Sequence, residues 1–172
     1  MFDLLLKLKL KRFYRDETRE KRFLNLRNIH TILVLFDTSD YDEADAFIEK
    51  LERLGKQITG YAYLPKSDRY DYSETPYHIV THKDNLNSIA GELEKESFDL
   101  VIDLTLKRNL PLEYLLVHAN APVKTGLKKN ATSPYDLAII SLPDIQEKNL
   151  KIRELGKQII YYLYIIQTRP IQ

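Results

Sequence analysis

The 172-residue chain contains no cysteine and no tryptophan, and it has only five glycines and one methionine. The absence of cysteine excludes disulfide bonds, thiolate nucleophiles, and zinc or iron–sulfur sites with cysteine ligands. Glycine-based phosphate loops are excluded as well, because Gly55, Gly60, Gly91, Gly126 and Gly156 are too far apart for a GxGxxG or Walker A motif. A conventional nucleotide cradle is therefore not predicted.

Other catalytic and metal-binding patterns are also missing. No serine stands in a Gly-x-Ser-x-Gly turn, so a hydrolase triad has no nucleophile. His78 and His82 share one side of a predicted strand, but no third metal ligand follows at a suitable spacing. Consequently, neither a metal ion nor an organic cofactor is predicted.

Long hydrophobic runs are lacking too, although hydrophobic residues make up 44% of the chain and charged residues 30%. No segment is apolar over the thickness of a bilayer, so no transmembrane segment is predicted. Lys7, Lys9 and Lys11 interrupt the apolar start before the core of a signal peptide can form, which predicts a cytoplasmic location.

The net charge of +1 is unevenly distributed along the chain. Residues 1–27 contain nine lysines and arginines and four acidic residues, which makes this segment +5 and leaves −4 for residues 28–172. The larger part is thus mildly acidic, so nucleic acid is not a predicted partner.

Two similar segments indicate the fold class. Residues 98–104 read FDLVIDL and residues 135–141 read YDLAIIS, so each has an aromatic residue and an aspartate before a short apolar strand. A strand that is apolar at every position is covered on both faces, as in α/β proteins with helices on both sides of a parallel sheet. We therefore predict two adjacent βα units whose strands run side by side in the same direction.

Further strands and helices alternate along the chain. Apolar β-rich runs predict strands, and apolar residues at helical spacing predict helices between them. The alternation predicts a three-layer Rossmann-like α/β sandwich with a mostly parallel sheet of about five or six strands. The predicted strands span residues 30–36, 57–63, 77–81, 100–104, 123–126 and 137–142.

Four polar residues are predicted to begin helices, and one of them is Asp144, which has Glu147 in capping-box spacing before the last helix. Asp40 has Glu43 in capping-box spacing, Asp84 precedes the next helix, and Asn109 precedes a helix with Pro111 in its first turn.

Polar side chains follow several of the predicted strands. Ligands of open α/β sheets bind outside the carboxyl ends of the strands, so these side chains are candidate ligand-binding residues. Aspartates could bind hydroxyl groups and lysines could bind anionic groups, which would suit a small anionic or nucleotide-like ligand. The alternative is that the same residues only cap helices and solvate turns. The candidates are Asp37, Thr38, Ser39, Asp40, Asp103, Thr105, Lys107, Lys124 and Lys128, with Tyr70 and Tyr72 from a tyrosine-rich loop.

This tyrosine-rich loop spans residues 64–76. Tyrosine offers an apolar ring with a polar tip, which suits a sugar, base or peptide ligand. The same rings could equally hold the loop over the edge of the sheet. Five of the twelve tyrosines in the chain lie in or near it: Tyr61, Tyr63, Tyr70, Tyr72 and Tyr77.

The basic segment 1–27 has an apolar stripe of Leu6, Leu10 and Phe13. This pattern predicts an extra helix packed on a single α/β domain of residues 28–172, although the Leu-Lys alternation in the segment also fits a strand. The segment could instead lie on an anionic membrane or bind a partner protein.

Three runs of the sequence, FDLVIDLTL at 98–106, PLEYLL at 111–116 and ANAPVKTG at 119–126, carry a family resemblance. Together they resemble a family of small uncharacterised bacterial α/β proteins, in which an FDLLI-type strand, a helix, an Ala-x-x-Lys-x-Gly turn and a YDL-type strand follow one another. This resemblance covers nearly the whole chain and implies a fold but no activity. The order of elements is also similar to that in the N-terminal domain of heptosyltransferase-like glycosyltransferases. That similarity implies a shared architecture, because the chain lacks their nucleotide-sugar-binding domain.

These observations favour a non-enzymatic cytoplasmic protein that binds a small ligand or another protein through the strand ends and the tyrosine-rich loop. The alternative is an enzyme acting on a phosphorylated or sugar substrate at the same edge. Its base would be Asp37 or Asp103, and its anion-binding residue Lys124 or Lys128. An enzyme requires that these groups converge in one concavity with perturbed pKa values. A third hypothesis is a membrane-surface adaptor that uses residues 1–27.

Overall fold

Strands and helices alternate after an N-terminal helix in the part of the chain that the structure describes. The computed structural model describes residues 2–16, 19–68, 71–129, 133–140 and 151–166. The strands are β1 (Thr31–Asp37), β2 (Gln57–Leu64), β3 (His78–Thr81), β4 (Leu100–Asp103), β5 (Val123–Leu127) and β6 (Leu137–Ile139). The helices are α1 (Phe2–Asp16), α2 (Tyr41–Arg53), α3 (Leu86–Leu93), α4 (Leu110–His118) and α5 (Ile152–Ile165).

These six strands form one sheet in which all neighbours are parallel, in the order β3-β2-β1-β4-β5-β6. The chain builds one half of the sheet outward from β1, and it then returns to the other side of β1 to build the second half from β4. The strand order therefore reverses between β1 and β4. This arrangement confirms the predicted Rossmann-like α/β fold, and each predicted strand has a counterpart in the sheet.

The two similar segments form β4 and β6, which run in the same direction but are not neighbours. Since β5 lies between them, the expectation that they are adjacent is wrong. Their aspartates nevertheless act alike. Asp99 accepts hydrogen bonds from the backbone N–H groups of His30 (2.7 Å) and Thr31 (3.0 Å), and Asp136 accepts one from Lys124 N–H (2.8 Å). Each aspartate thus ties its own strand to the beginning of a neighbouring one.

The apolar side chains of β1 divide between two hydrophobic cores, one on each face of the sheet. Ile32, Val34 and Phe36 pack with α2 and α5 on one face. Leu33 and Leu35 pack on the other face with side chains of α1, α3 and α4. This division follows from the alternation of side chains along a strand. Because β1 is covered on both faces, its unbroken apolar run is explained.

The N-terminal segment forms helix α1, which packs against α4. Leu6 and Leu10 are 4% and 1% exposed, so the inner face of the helix belongs to the second core. The Tyr14 hydroxyl donates a hydrogen bond to Glu113 of α4 at 2.5 Å. Of the two element types that the Leu-Lys pattern allowed, the helix is therefore present. Neither α1 nor any other helix in the described ranges is long and apolar enough to cross a membrane.

The predicted helix start at Asp84 differs from the structure, and the last helix α5 begins at Ile152, while Asp144 itself lies outside the described residues. Asp84 accepts a hydrogen bond from Thr81 N–H at 2.6 Å, and Asn85 caps α3 in its place. Asp40 ends a short 3₁₀ turn, and its side chain makes no capping hydrogen bond to α2. The predicted cap at Asp84 is therefore wrong. Asp40 stands at the N-cap position of α2 as predicted, but without the side-chain hydrogen bond, and Asn109 caps α4 as predicted.

Candidate functional site

The carboxyl ends of β1 and β4 lie next to each other where the strand order reverses. A crevice forms at such a position, because the connections that leave the two strands go to opposite faces of the sheet. Asp37 is the last residue of β1, Asp103 is the last residue of β4, and Thr105 follows shortly after. The structure thus brings three of the predicted site residues to one edge of two neighbouring strands.

The Asp103 carboxylate is the centre of a buried hydrogen-bond network. One of its oxygens accepts hydrogen bonds from the backbone N–H (2.8 Å) and the hydroxyl (2.6 Å) of Thr105. The other accepts from the Lys129 ammonium (2.8 Å) and the Tyr135 hydroxyl (2.5 Å). Lys129 also donates to the hydroxyls of Thr105 and Tyr135. Burial and the nearby Asp103 charge raise the pKa of Tyr135, so its hydroxyl keeps its proton and acts as a donor.

Tyr135 reaches Asp103 by crossing β5. Strand β6 begins opposite Thr125, so Tyr135 lies level with the first residues of β5. A Cβ atom at Gly126 would lie 2.7 Å from the Tyr135 ring and 2.9 Å from the backbone oxygen of Asp103. Because Gly126 has no side chain, the ring can pass over the strand, and the second similar segment can contact the first.

Asn109 connects Asp37 to the start of α4. Its Nδ2 donates to Asp37 Oδ1 at 2.6 Å, while its Oδ1 accepts from Leu112 N–H at 3.1 Å. Burial raises the pKa of Asp37 to about 6; the hydrogen bond from Asn109 opposes this rise, and the negative charges of Asp103 and Asp40 add to it. The carboxyl group therefore titrates much closer to neutral pH than an ordinary aspartate.

Replacing Asp37 with asparagine is expected to raise the thermal stability at pH 8. The folded protein holds the Asp37 proton up to a pKa of about 6, against an ordinary value of 3.8. This contribution to stability is therefore lost as the pH rises through that interval. The neutral amide of asparagine does not titrate, so the variant keeps its stability as the pH rises. Its amide oxygen can also accept the hydrogen bond from Asn109. Allowing for partial solvent exposure, we expect a gain of about 1–2 kcal/mol, or roughly 3–6 °C in Tm.

Calorimetric melting curves at about pH 4 and pH 8 test this expectation, since the gain should nearly vanish at the lower pH. Asp99→Asn is a matched control, for which the expected change in stability at pH 8 has the opposite sign. Although burial raises the pKa of Asp99, hydrogen bonds from the backbones of Thr31 and His30 outweigh it and lower the pKa. This variant should therefore be less stable than the wild type at pH 8. An Asp37→Asn protein that melts below the wild type at pH 8 would contradict the assigned pKa.

A second ion pair lies beside the Asp103 network. The Arg108 guanidinium donates two hydrogen bonds to the Glu113 carboxylate, at 2.7 and 2.9 Å, and Tyr14 of α1 donates to the same carboxylate. The cavity between this pair and the Asp103 and Lys129 side chains measures about 10 Å³, which is room for about one water molecule. The Asp103–Lys129 and Arg108–Glu113 pairs are thus each held by hydrogen bonds and do not face a ligand-sized space.

A much larger cavity, of about 840 Å³, lies at the carboxyl end of β1. Its walls are the turn and first residues of α2 on one side and residues 71–75 on the other, and among the described residues none that lines it is basic. Five carboxylates line it, from Asp40, Asp42, Glu43, Asp71 and Glu74. Hydroxyl groups come from Thr38, Ser39, Tyr41, Tyr72, Ser73 and Thr75. In the described residues, no three acidic or histidine side chains are placed to hold a metal ion.

Aromatic packing holds the end of the tyrosine-rich loop against the sheet. The Tyr77 ring meets Phe36 of β1 edge-on, with centroids 5.2 Å apart, and lies 5.7 Å from the ring of Tyr41. The Tyr77 hydroxyl donates to Asp45 of α2 at 2.5 Å. This tyrosine therefore holds the loop in place, which is one of the two roles predicted for the tyrosines.

Tyr72 holds the loop in a similar way and also lines the larger cavity. Its hydroxyl donates to Asp68 at 3.0 Å and lies 3.3 Å from the backbone oxygen of Thr38. Its ring lies 5.4 Å from that of Tyr41, and both rings belong to the cavity wall. Tyr70, the other predicted tyrosine, lies outside the described residues.

Comparison with known families places the chain in a family but does not assign it an activity. The model of a family of unknown function, DUF6913, matches residues 3–166. The chain belongs to this family. The search of curated proteins found no match, and neither did the search of solved structures. Membership confirms the predicted resemblance to an uncharacterised family.

In this DUF6913 protein, the predicted site residues form two groups. Asp37, Asp103 and Thr105 lie near the Lys129 ammonium, where β1 and β4 end. The second group lines the larger cavity and consists of Thr38, Ser39, Asp40 and Tyr72.

The predicted lysines belong to neither group. Lys124 is only the second residue of β5, it is 1% exposed, and its ammonium donates to the backbone oxygen of Val117 at 2.8 Å. Its expected position at the carboxyl edge is therefore wrong, because Lys124 lies near the amino end of β5, three residues before the strand ends at Leu127. Lys107 and Lys128 are exposed and line neither cavity.

Tyr135 is the site residue of the DUF6913 protein that the sequence interpretation missed, whereas Lys129 follows the predicted strand 123–126 just as Lys128 does, but Lys128 is the candidate that the interpretation selects. Lys129 stands beside Lys128, and no sequence signal distinguishes the lysine that turns towards Asp103. The sequence does single out Tyr135, since this residue begins the second similar segment. A residue before a strand is expected at the amino edge of the sheet, however, whereas the Tyr135 ring lies against Gly126 and its hydroxyl reaches Asp103, both near the carboxyl edge.

Proposed function

We propose that this protein is a cytoplasmic, non-enzymatic member of its family that binds a small uncharged or cationic polar ligand in the 840 Å³ cavity at the end of β1. The position of the cavity supports this proposal most strongly. It opens at the carboxyl edge of a parallel sheet, which is where open α/β folds bind their ligands. Its volume is that of small-molecule sites in general.

The lining residues favour a ligand that donates hydrogen bonds. Carboxylates accept hydrogen bonds from hydroxyl and ammonium groups, and they repel phosphate. Ser39 and Ser73 add hydroxyls at the edge, while the rings of Tyr41 and Tyr72 offer surfaces for a sugar or an organic cation. The anionic or nucleotide-like ligand that the sequence suggested would find no basic partner among these side chains.

The neighbouring charged network supports binding rather than catalysis. A base or an anion-binding lysine must contact its substrate. Asp103 and Lys129 are instead hydrogen-bonded to each other, below a space for about one water. A substrate would have to displace these buried bonds before it reached either group.

A thermal-shift titration with neutral monosaccharides, spermidine and sugar phosphates tests the proposal. A ligand that binds only the folded protein raises Tm with its concentration. We expect neutral sugars or spermidine to raise Tm, and sugar phosphates at equal concentration to have little effect. A shift confined to phosphorylated compounds, or no shift in any class, would overturn the proposal.

Variants of the cavity wall make this test specific. Asp42→Asn with Glu74→Gln removes two lining carboxylates that lie on the surface, and about ten times more ligand should then be needed for the same shift. Glu49→Gln with Glu92→Gln removes the same charge from two other exposed positions and should leave the titration unchanged.

An enzyme that acts on a phosphorylated or sugar substrate at the same edge is the second candidate, and the raised pKa of Asp37 favours it. Asp37 would then serve as the base. In this case, compounds found in the titration should be converted by the wild type, as followed by NMR, and the Asp37→Asn variant should bind them without conversion.

A further inference from the structure

The outer face of α1 carries exposed leucines that are not packed against the part of the chain that the structure describes. Leu4, Leu5 and Leu8 are 63%, 56% and 57% exposed. Leu6 and Leu10, on the inner face, are buried against the rest of the domain. The helix is thus apolar on two faces, and only one of them is covered.

Basic residues border the exposed leucines. Residues 4–14 contain four lysines and arginines and no acidic residue, and all four basic side chains are exposed. At 100° per residue, Lys7 and Lys11 project on one side of Leu4 and Leu8, and Arg12 projects between Leu8 and Leu5. The uncovered face therefore combines apolar groups with a rim of positive charge.

We propose that α1 binds the surface of an anionic lipid membrane through this leucine-lysine face while its inner face stays packed on α4. Helices of this composition lie in the membrane interface, with leucines at the acyl boundary and lysines among the headgroups. Residues 28–172 have a charge of −4, in contrast to +5 for residues 1–27, so the field of the protein turns its N-terminal part towards an anionic surface. This inference is independent of the ligand proposed for the cavity.

A lipid surface fits this face better than an acidic protein does. The three leucines are more than half exposed on one helix, and none of them lines either cavity at the strand ends. Protein interfaces require a fitted surface around central anchor residues. A fluid lipid interface adapts to the helix and requires only apolar groups with positive charge beside them.

Co-sedimentation of the full chain with lipid vesicles tests the proposal. Deletion of α1 is unsuitable, because Leu6 and Leu10 belong to the core. We expect binding to vesicles of phosphatidylcholine mixed with phosphatidylglycerol, weaker binding at high salt, and little binding to phosphatidylcholine alone. Absence of binding to the anionic vesicles, or equal binding to both kinds, would overturn the proposal, and an acidic protein partner would give the first of these results.

Two pairs of substitutions identify the surface involved. Leu4→Ser with Leu8→Ser should lower the partition coefficient by about tenfold or more, whereas Tyr161→Ser with Ile165→Ser, at exposed positions of α5, should not.

Lys7→Glu with Lys11→Glu should also lower binding by about tenfold or more. Lys50→Glu with Lys83→Glu makes the same charge change at exposed positions elsewhere and is its control. If the variant with Leu4→Ser and Leu8→Ser unfolds at a lower temperature than the wild type, the comparison of the two lysine variants decides the outcome. Equal binding by Lys7→Glu with Lys11→Glu and by its control would overturn the proposal.

Discussion

Replacing Asp103 with alanine is expected to lower the free energy of unfolding by about 3–5 kcal/mol at neutral pH. The carboxylate is 2% exposed and accepts hydrogen bonds from Thr105, Lys129 and Tyr135. Its removal leaves the Lys129 ammonium, whose side chain is 11% exposed, without its counter-charge. Urea denaturation followed by circular dichroism measures the loss.

A double-mutant cycle with Lys129→Met separates the buried charge from the other hydrogen bonds. The methionine is apolar, so the double variant should be more stable than Asp103→Ala by at least about 1 kcal/mol. Lys128→Met alters the exposed neighbour and should change stability by no more than about 0.5 kcal/mol. If Asp103→Ala lies within about 1 kcal/mol of the wild type, the network does not hold the end of β4 as described.

Gly126→Ala is expected to cost about 2–3 kcal/mol of stability, although it adds a single methyl group. The new Cβ would lie 2.7 Å from the Tyr135 ring and 2.9 Å from the backbone oxygen of Asp103. The ring could move away, but then its hydroxyl would lose the Asp103 carboxylate. The backbone oxygen cannot move without disturbing the pairing of β4 with β5, which places Asp103 opposite Gly126.

Gly91→Ala is the matched control for this substitution. Gly91 lies in α3, where an added Cβ meets nothing within 4 Å. Alanine favours a helix over glycine, so this variant should be more stable than the wild type by about 0.5–1 kcal/mol. Thermal melts of the two variants should therefore move in opposite directions. A Gly126→Ala protein as stable as the wild type would mean that Tyr135 does not cross β5 at this residue.

The two similar segments show how much of the structure a local sequence pattern can predict. Each has an aromatic residue and an aspartate before an apolar strand, and each forms a strand of the same direction in the same sheet. Asp99 and Asp136 also play equivalent parts, since each accepts backbone hydrogen bonds at the start of a neighbouring strand. The aromatic residues differ, however. Phe98 is buried in a core, whereas Tyr135 donates to Asp103. The pattern predicted the element but not the use of its side chain.

The candidate site was predictable only in part for the same reason. Asp37, Asp103 and Thr105 end or follow strands, and the general rule for parallel sheets locates them at one edge. The rule assumes that a residue's position in its strand determines the edge at which its side chain lies. Lys124 is the second residue of β5 and lies near its amino end, and Tyr135 precedes β6 although its ring lies against Gly126 near the carboxyl end of β5.

By itself, the sequence determined the strands, most of the helices and the fold class. Apolar periods and continuous apolar runs are local, and a strand that must be covered on both faces shows this requirement in its own residues. The tertiary structure alone decided that β5 separates the two similar strands and that Lys129 and Tyr135 meet Asp103. Those contacts depend on the crossover that inserts β5 and on the register of β6. Both involve residues distant along the chain, whose relation no local pattern records.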